Sequence, residues 1–240
     1  MSIIYINPYQ FAATGPTDPY FSNVSLLLHG DGTNGSTTIV DSSPSPKTVT
    51  AFGDAQISTA QSKFGGASIA FDGNSDYFSV PSSVDFEFGS GNFTIEFFAY
   101  INTYGTITAF ISRSMWSGAN GGTPWIVFAL SEKIYFSVTD NATGAWGLSG
   151  AGGVSAPTGQ WNHIAVVRNG SSFNAYVNGV AGTAKTFAGA IQPSNSSLIS
   201  GVYNNTLGSV NGYIDDLRIT KGVARYTSNF TPPTAPFPDA

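Results

Sequence analysis

The chain has no cysteine, which removes disulfide frameworks, cysteine zinc sites and thiol nucleophiles at once. Charge is also scarce: Asp, Glu, Lys and Arg make up 10% of the 240 residues, against about 25% in ordinary soluble domains. Helical proteins cover their outer faces with such residues, and glutamate occurs here only as Glu87, Glu96 and Glu132, so a helix-rich fold is not expected. The net charge of −5 leaves no basic stripe to neutralise phosphate, and nucleic acid is not an expected partner. No apolar run approaches the ~18 residues of a spanning helix, so membrane insertion is not expected either. The opening MSIIYINPYQF carries neither the basic stretch nor the long apolar stretch of a secretory signal. The nucleophile and zinc motifs G-x-S-x-G and H-E-x-x-H are missing, and the two histidines, His29 and His163, lie far apart in sequence.

What is present is the vocabulary of short strands and tight turns: 28 Gly and 13 Pro, with abundant Ser, Thr and Asn. From Val24 onward the apolar period is two. In Phe93–Ile101, Phe93, Ile95, Phe97, Ala99 and Ile101 share one face, and Thr94, Glu96, Phe98 and Tyr100 take the other. The same alternation runs through Ile107–Ser112, Ile134–Val138 and Phe173–Asn178, and Asn178-Gly179 marks a type I′ turn. Many strands with one apolar face each must pack as two sheets, which predicts an all-β, antiparallel β-sandwich. Residues 1–22 differ. They hold Tyr5, Tyr9 and Phe11 among Pro8, Pro16 and Pro19 with no period, and read as an extended arm that docks on a neighbouring subunit through those three aromatics. Residues 23–240 read as one domain.

Four segments carry more than periodicity: SLLLHGDGTNGSTTIVDSSP from Ser25, FGGASIAFDGNSDYFSVP from Phe64, WNHIAVVRNGSSFNAYVNGV from Trp161 and GYIDDLRITKGVARYTSNFTPPTAPF from Gly212. In that order they resemble the laminin-G-like domains of the concanavalin A-like jelly-roll superfamily, in the form common in bacteriophage virion and tail proteins. The resemblance implies two curved antiparallel sheets in a jelly roll, adhesive or ligand-binding duty and often a bound calcium ion. It also implies where that ion sits, namely where the first acidic turn meets the terminal strand, at Asp31 with Asp215 or Asp216. Calcium takes six to eight oxygens from carboxylates, amides and carbonyls, and Asp41, Asp72 and Asp76 lie in further acidic turns. Strict alternation puts Asp215 with Tyr213, Leu217 and Ile219, and Asp216 with Arg218. Hydrogen bonds from turn amides to Asp215, with an Asp216–Arg218 pair, would serve in place of an ion.

The superfamily also contains glycoside hydrolases, which need two carboxyls flanking the scissile bond. Only Asp85 and Glu87 have the alternate spacing; they read as a solvated edge, and His163, beside Trp161, Ala165 and Val167, reads as a packed histidine. No enzyme is expected. For glycan binding the candidates are Trp116 and Trp125 in Ser114–Trp125, and Trp146 in Asp140–Gly152, because a stacking ring in a polar loop is the usual platform; each ring would equally serve to cap an end of the sandwich. The expectation is a non-enzymatic phage virion appendage protein, adhesive toward host-surface polysaccharide, partnered by other virion proteins and copies of itself and assembled in the host cytoplasm. A free carbohydrate-binding lectin is the alternative, with a polysaccharide hydrolase a distant third.

Overall fold

Alternation does produce a sandwich. The structure, a computed structural model, describes residues 17–114, 123–201 and 208–240; Tyr5, Tyr9, Phe11 and Trp116 lie outside the described residues. The strands are β1 (Val24–Leu28), β2 (Thr38–Ile39), β3 (Val49–Phe52), β4 (Gln56–Ser58), β5 (Ser68–Asp72), β6 (Tyr77–Val80), β7 (Phe93–Thr103) and β8 (Ile107–Arg113). They continue as β9 (Trp125–Leu130), β10 (Lys133–Thr139), β11 (Trp146–Ser155), β12 (Trp161–Asn169), β13 (Ser172–Val177), β14 (Val180–Ala181), β15 (Lys185–Thr186), β16 (Leu198–Ser200) and β17 (Asn211–Lys221). One sheet runs β14-β13-β12-β7-β17-β5-β4, with β1 also on β17 and β15 on β13; the other runs β11-β10-β9-β8-β16-β6-β3-β2. The central pairings are antiparallel, as expected for a jelly-roll sandwich.

The core lies between the sheets. Phe93, Ile95, Phe97, Ala99 and Ile101 of β7 face Phe110, Val127 and Phe136 of the second sheet inside one buried cluster, with Phe97 and Phe110 ring centroids 5.4 Å apart. Each such side chain removed from water contributes roughly 1.5–3 kcal/mol. The hairpin joining β13 to β14 has φ of +50° at Asn178 and +76° at Gly179, the left-handed pair that the dipeptide predicts.

Two of the register shifts decide which side chains enter the core. In β17 the register against β7 shifts between Asp215 and Arg218, and Asp216 adopts φ +52°. The extra residue resets the phase. Leu217 and Ile219 join Ile214 in the core, whereas Asp215 lies opposite Phe98 and Tyr213 opposite Tyr100 on the other face. The grouping of Asp215 with Leu217 and Ile219 is thereby corrected. In β8 the register shifts between Ala109 and Ile111, so Phe110 and Ile111 both enter the core while Ala109 packs outside with Ile126 and Ile199.

The outer face of the first sheet is covered over β12, β13 and the middle of β7 and β17, while its β4-β5 side stays open as a depression of about 410 Å³ lined by Gln56, Ser58, Ala70, Asn102, Asn211 and Tyr213. Residues 222–240 cross the covered part: Tyr226 and Phe230 stack with centroids 3.6 Å apart over Ala165, Val167 and Tyr176. Phe237 lies 3.9 Å from the Arg218 guanidinium. Beneath this strap is a buried ionic network. Glu96 Oε1 accepts from Arg218 Nε at 3.1 Å and Nη2 at 2.8 Å, while Oε2 accepts from the Tyr226 hydroxyl at 2.7 Å and lies 3.3 Å from His163 Nε2. Asp18 accepts from Arg218 at 3.1 Å and from Arg225 at 3.0 and 2.6 Å. Burial alone would raise the Glu96 carboxyl, but Arg218, His163 and Tyr226 hold it at about 2. Asp18 thus belongs to the folded body, although it falls within the segment read from sequence as an arm, and its backbone N–H donates to the Ala240 carbonyl at 2.8 Å. His163 is a packed, structural histidine, buried against Phe98 and Phe230.

Candidate functional site

Among the described residues, no segment covers the outer face of the second sheet. In β9, Trp125, Val127 and Ala129 point into the core, which turns Ile126 and Phe128 outward. On β10, Ile134, Phe136 and Val138 point inward, so Tyr135 and Ser137 point out. Phe128 pairs with Tyr135, and their rings stack with centroids 5.7 Å apart. Across the sheet, Phe52 of β3 pairs with Tyr77 of β6, stacked at 4.5 Å and 9°. Phe52 is 40% exposed, so this pair is presented to solvent.

Two depressions divide the face. One of about 150 Å³ is lined by Ile107, Ile126, Phe128, Ser137, Trp146 and Ser149. A wider one of about 470 Å³ lies over Phe52 and Tyr77, flanked by Ser79, Ile199 and the segment 195–197. Among the described residues, no Asp, Glu, Lys, Arg or His lines either depression. The 194–197 segment is held from behind. The buried Arg113 guanidinium donates to the carbonyls of Ser194 at 2.7 Å and Ser196, and to Glu87 Oε1 at 2.8 Å, and the Ser194 N–H donates to the same Glu87 oxygen at 3.1 Å.

The predicted glycan residues therefore separate. Trp146 is on the open face, half-buried. Trp125 is 1% exposed, sits in the core against Phe88 at 5.4 Å and has no surface to offer a ligand; it opens β9 on the inward phase. Tyr77, Phe52 and Phe128 were missed. Their signal in the sequence is an aromatic at the outward position of an alternating strand, which looks the same as one that a neighbouring segment covers.

Asp31, Asp215 and Asp216 come together where β1 and its following turn meet β17. Asp215 Oδ2 accepts the backbone N–H groups of Lys63 at 2.6 Å and Phe64 at 3.1 Å. Its Oδ1 is buried without a hydrogen-bond partner. Burial, with the charges of Asp216 and Asp31, outweighs those two donors and raises Asp215 to about 7. Burial and Asp216 likewise raise Asp31, with His29 opposing. Asp216 Oδ1 lies 2.7 Å from His29 Nδ1, and Oδ2 accepts the Phe237 N–H at 2.7 Å. The Asp216–Arg218 pair considered from the sequence does not form, because the bulge points Asp216 away from Arg218. Asp215 Oδ1 is an orphaned carboxylate oxygen that a cation would satisfy, but among the described residues the oxygens of Asp31, Asp215 and Asp216 do not gather within 4.8 Å of one another as those of Asp54, Asp72 and Asp76 do.

A second group of carboxylates was only half legible. Oxygens of Asp54, Asp72 and Asp76 lie within 4.8 Å of one another, Asp54 arriving from the β3–β4 turn. Asp76 accepts the Asp54 and Asp72 N–H groups, each at 2.7 Å, and so ties two turns together. Asp41 does similar work, accepting from the Leu27, Ser43 and Lys47 N–H groups at 3.0, 2.9 and 2.7 Å. Of the hydrolase candidates, Asp85 pairs with Lys47 at 3.0 Å and Glu87 with Arg113.

No curated protein sequence matches the chain. Among solved structures, the binding domain of Paraclostridial Mosquitocidal Protein 1 superposes with a TM-score of 0.62 at 17% identity, over 85% of this chain and 50% of that one. Domain 4 of AbnA, a GH43 extracellular arabinanase from Geobacillus stearothermophilus solved in complex with arabinotriose, gives 0.61 at 18%, over 84% of this chain and 94% of that one. A botulinum neurotoxin type C structure, whose cell entry depends on interaction with two ganglioside molecules, gives 0.60 at 18%, over 85% and 49%. The chain thus spans about half the length of the two toxin chains, and the likeness is one of fold. The family described as the concanavalin A-like lectin/glucanases superfamily, in its laminin-G-like form, matches residues 72–225. With that match spanning both sheets, the chain belongs to the laminin-G-like domains of the concanavalin A-like lectin/glucanase superfamily.

Proposed function

We propose that this protein is a non-catalytic, glycan-binding adhesive subunit of a phage particle, and that it binds through the open face of the second sheet. The observation that carries the reading is the contrast between the two outer faces. One is covered over β12, β13 and its centre by residues 222–240 and is acidic where it stays open, around Asp54 and Asp72; the other presents Phe52, Tyr77, Phe128 and Trp146 beside serine and asparagine side chains. Sugar rings stack their C–H faces on aromatics and hydrogen-bond to hydroxyls and amides, and such a face meets both needs. The neighbouring arabinanase domain, solved with arabinotriose, supports this use of the fold. Against catalysis, Asp85 and Glu87 are each held in an ion pair and Glu96 is sealed under the strap. The test is glycan-array binding of the full chain beside Tyr77→Ala and Trp146→Ala, with melting curves for each. Binding lost with stability kept supports the face; binding unchanged removes it.

The particle assignment rests on the phage-like segment Gly222–Phe237 and on the cysteine-free composition of a protein made in a reducing cytoplasm. Its partners would be other virion proteins and copies of itself, with residues 1–22 as the docking arm. Detecting the protein on purified particles by immuno-electron microscopy tests this. Glycan binding together with absence from particles favours the free lectin.

Calcium is the proposed cofactor. Asp215, through its unpartnered Oδ1, with Asp31 and Asp216 would hold the ion, whose bound charge would offset the three carboxylates.

A further inference from the structure

Resting on the glycan-binding reading, we infer that the open face takes an internal stretch of an uncharged polysaccharide laid across the strands over two separate subsites. The first subsite is the depression floored by Ile126 and Phe128 and walled by Trp146, with the Ser137 and Ser149 hydroxyls at hand. The second is the parallel Phe52–Tyr77 pair with Ser79 and Asn195 beside it. Trp146 is on β11 and Phe52 on β3, six strand steps apart in the sheet order. At about 4.8 Å per step these two outer walls lie roughly 29 Å apart along the sheet, while the inner walls meet where Ile126 of the first packs with Ile199 of the second. A single sugar ring reaches one of the outer walls; a chain of several rings reaches both, and the second contact is then made at high effective concentration.

The charge of the ligand follows from what lines the site. A uronate or sialate carboxylate is recognised by Arg or Lys, usually through paired charge-assisted hydrogen bonds. Among the described residues, no Lys or Arg lines the floor of either depression. Arg113, the guanidinium behind the second, is 1% exposed and engaged by carbonyls and Glu87. Lys185 donates to the Ser149 carbonyl at the rim of the first, and Lys133 stands at the start of β10. Setting an unpaired carboxylate against Trp146 and Ile126 would strip its water without compensation. The net charge of −5 adds a long-range penalty for a polyanion. Neutral rings meet none of these obstacles.

The experiment uses the full chain and titrates arabinan, galactan and β-glucan against polygalacturonate and alginate. Each polymer is tested intact and as mono-, di- and hexasaccharide, at low and high NaCl, on wild type, Tyr77→Ala and Trp146→Ala. The expected result is binding of a neutral polymer that salt leaves unchanged and that each substitution weakens by about tenfold. Disaccharides should bind far more weakly and respond to one substitution only. Acidic polymers binding more tightly, or a monosaccharide binding as well as the polymer, overturns the inference; if that binding still depends on Tyr77 or Trp146, the glycan-binding reading survives. Binding that neither substitution weakens, or no binding by any polysaccharide, overturns both.

Discussion

Replacing Glu96 by glutamine keeps the shape of the side chain and removes the charge that Arg218, His163 and Tyr226 converge on. Glu96 is fully buried and held at about 2 against an ordinary 4.5. That difference corresponds to about 3 kcal/mol of stability at neutral pH. Breaking one side of a buried ion pair also strands its partner, for a total of about 3–5 kcal/mol. In a domain of this size each kcal/mol moves the melting temperature by about 2–4 °C, so Glu96→Gln should melt about 6–20 °C lower at pH 7. The sign of the pH dependence follows from the direction of the shift. With a folded value below the unfolded one, the stabilisation is complete above the ordinary glutamate range and is lost as pH falls from about 5 towards 2. Arg225 and Arg218 also hold Asp18 below its usual range against the opposing effect of burial, but Asp18 is present in both proteins and largely cancels in the comparison. Urea denaturation at pH 7, 5, 4 and 3 is the assay. The wild-type and variant curves should lie furthest apart at pH 7 and converge in acid. Parallel curves over that range, or a neutral-pH difference below about 1 kcal/mol, would refute the account of the strap as an electrostatically clamped element.

The two described glycan candidates should respond oppositely in melting experiments. Trp125→Ala opens a core cavity and should lose about 3–5 kcal/mol, whereas Trp146→Ala should stay within about 1 kcal/mol; equal losses would make Trp146 a packing residue. If calcium is bound at 100 times its dissociation constant, chelation removes about 2.7 kcal/mol, roughly 5–10 °C. Asp31→Ala and Asp215→Ala should shrink that shift. A shift that survives both substitutions but vanishes in Asp54→Ala would move the ion to the Asp54–Asp72–Asp76 group, and elemental analysis with no metal and no shift would end the calcium proposal. A chain starting at residue 17 should keep the Asp18 contacts to Arg218 and Arg225, while one starting at residue 23 should melt lower; matching melts would mean that Asp18 contributes nothing to the clamp.

The sequence alone determined the pattern of local conformation. Strict alternation in Phe93–Ile101 assigned the inward row of β7, and Asn178-Gly179 announced a left-handed turn, because side-chain period and φ preference are properties of neighbouring residues. The same local logic placed His163 on the face of Ala165 and Val167. Only the tertiary structure decided which of those faces meets water. Glu96 and Phe98 of β7 occupy outward positions just as Tyr77 and Phe128 do, yet residues 222–240 cover the first pair and leave the second open. Trp125 and Trp146 both follow polar turn stretches, and burial separates them because one opens its strand on the inward phase. The bulges at Asp216 and near Phe110 have no compositional mark, since one extra residue in a ladder is defined by the partner strand. They reset the side of everything that follows, turning Leu217 and Ile219 into the core and leaving Asp215 with a buried oxygen that no donor reaches. The meeting of Asp54 with Asp72 and Asp76 is likewise a product of strand order, because it joins turns that only sheet pairing brings within reach.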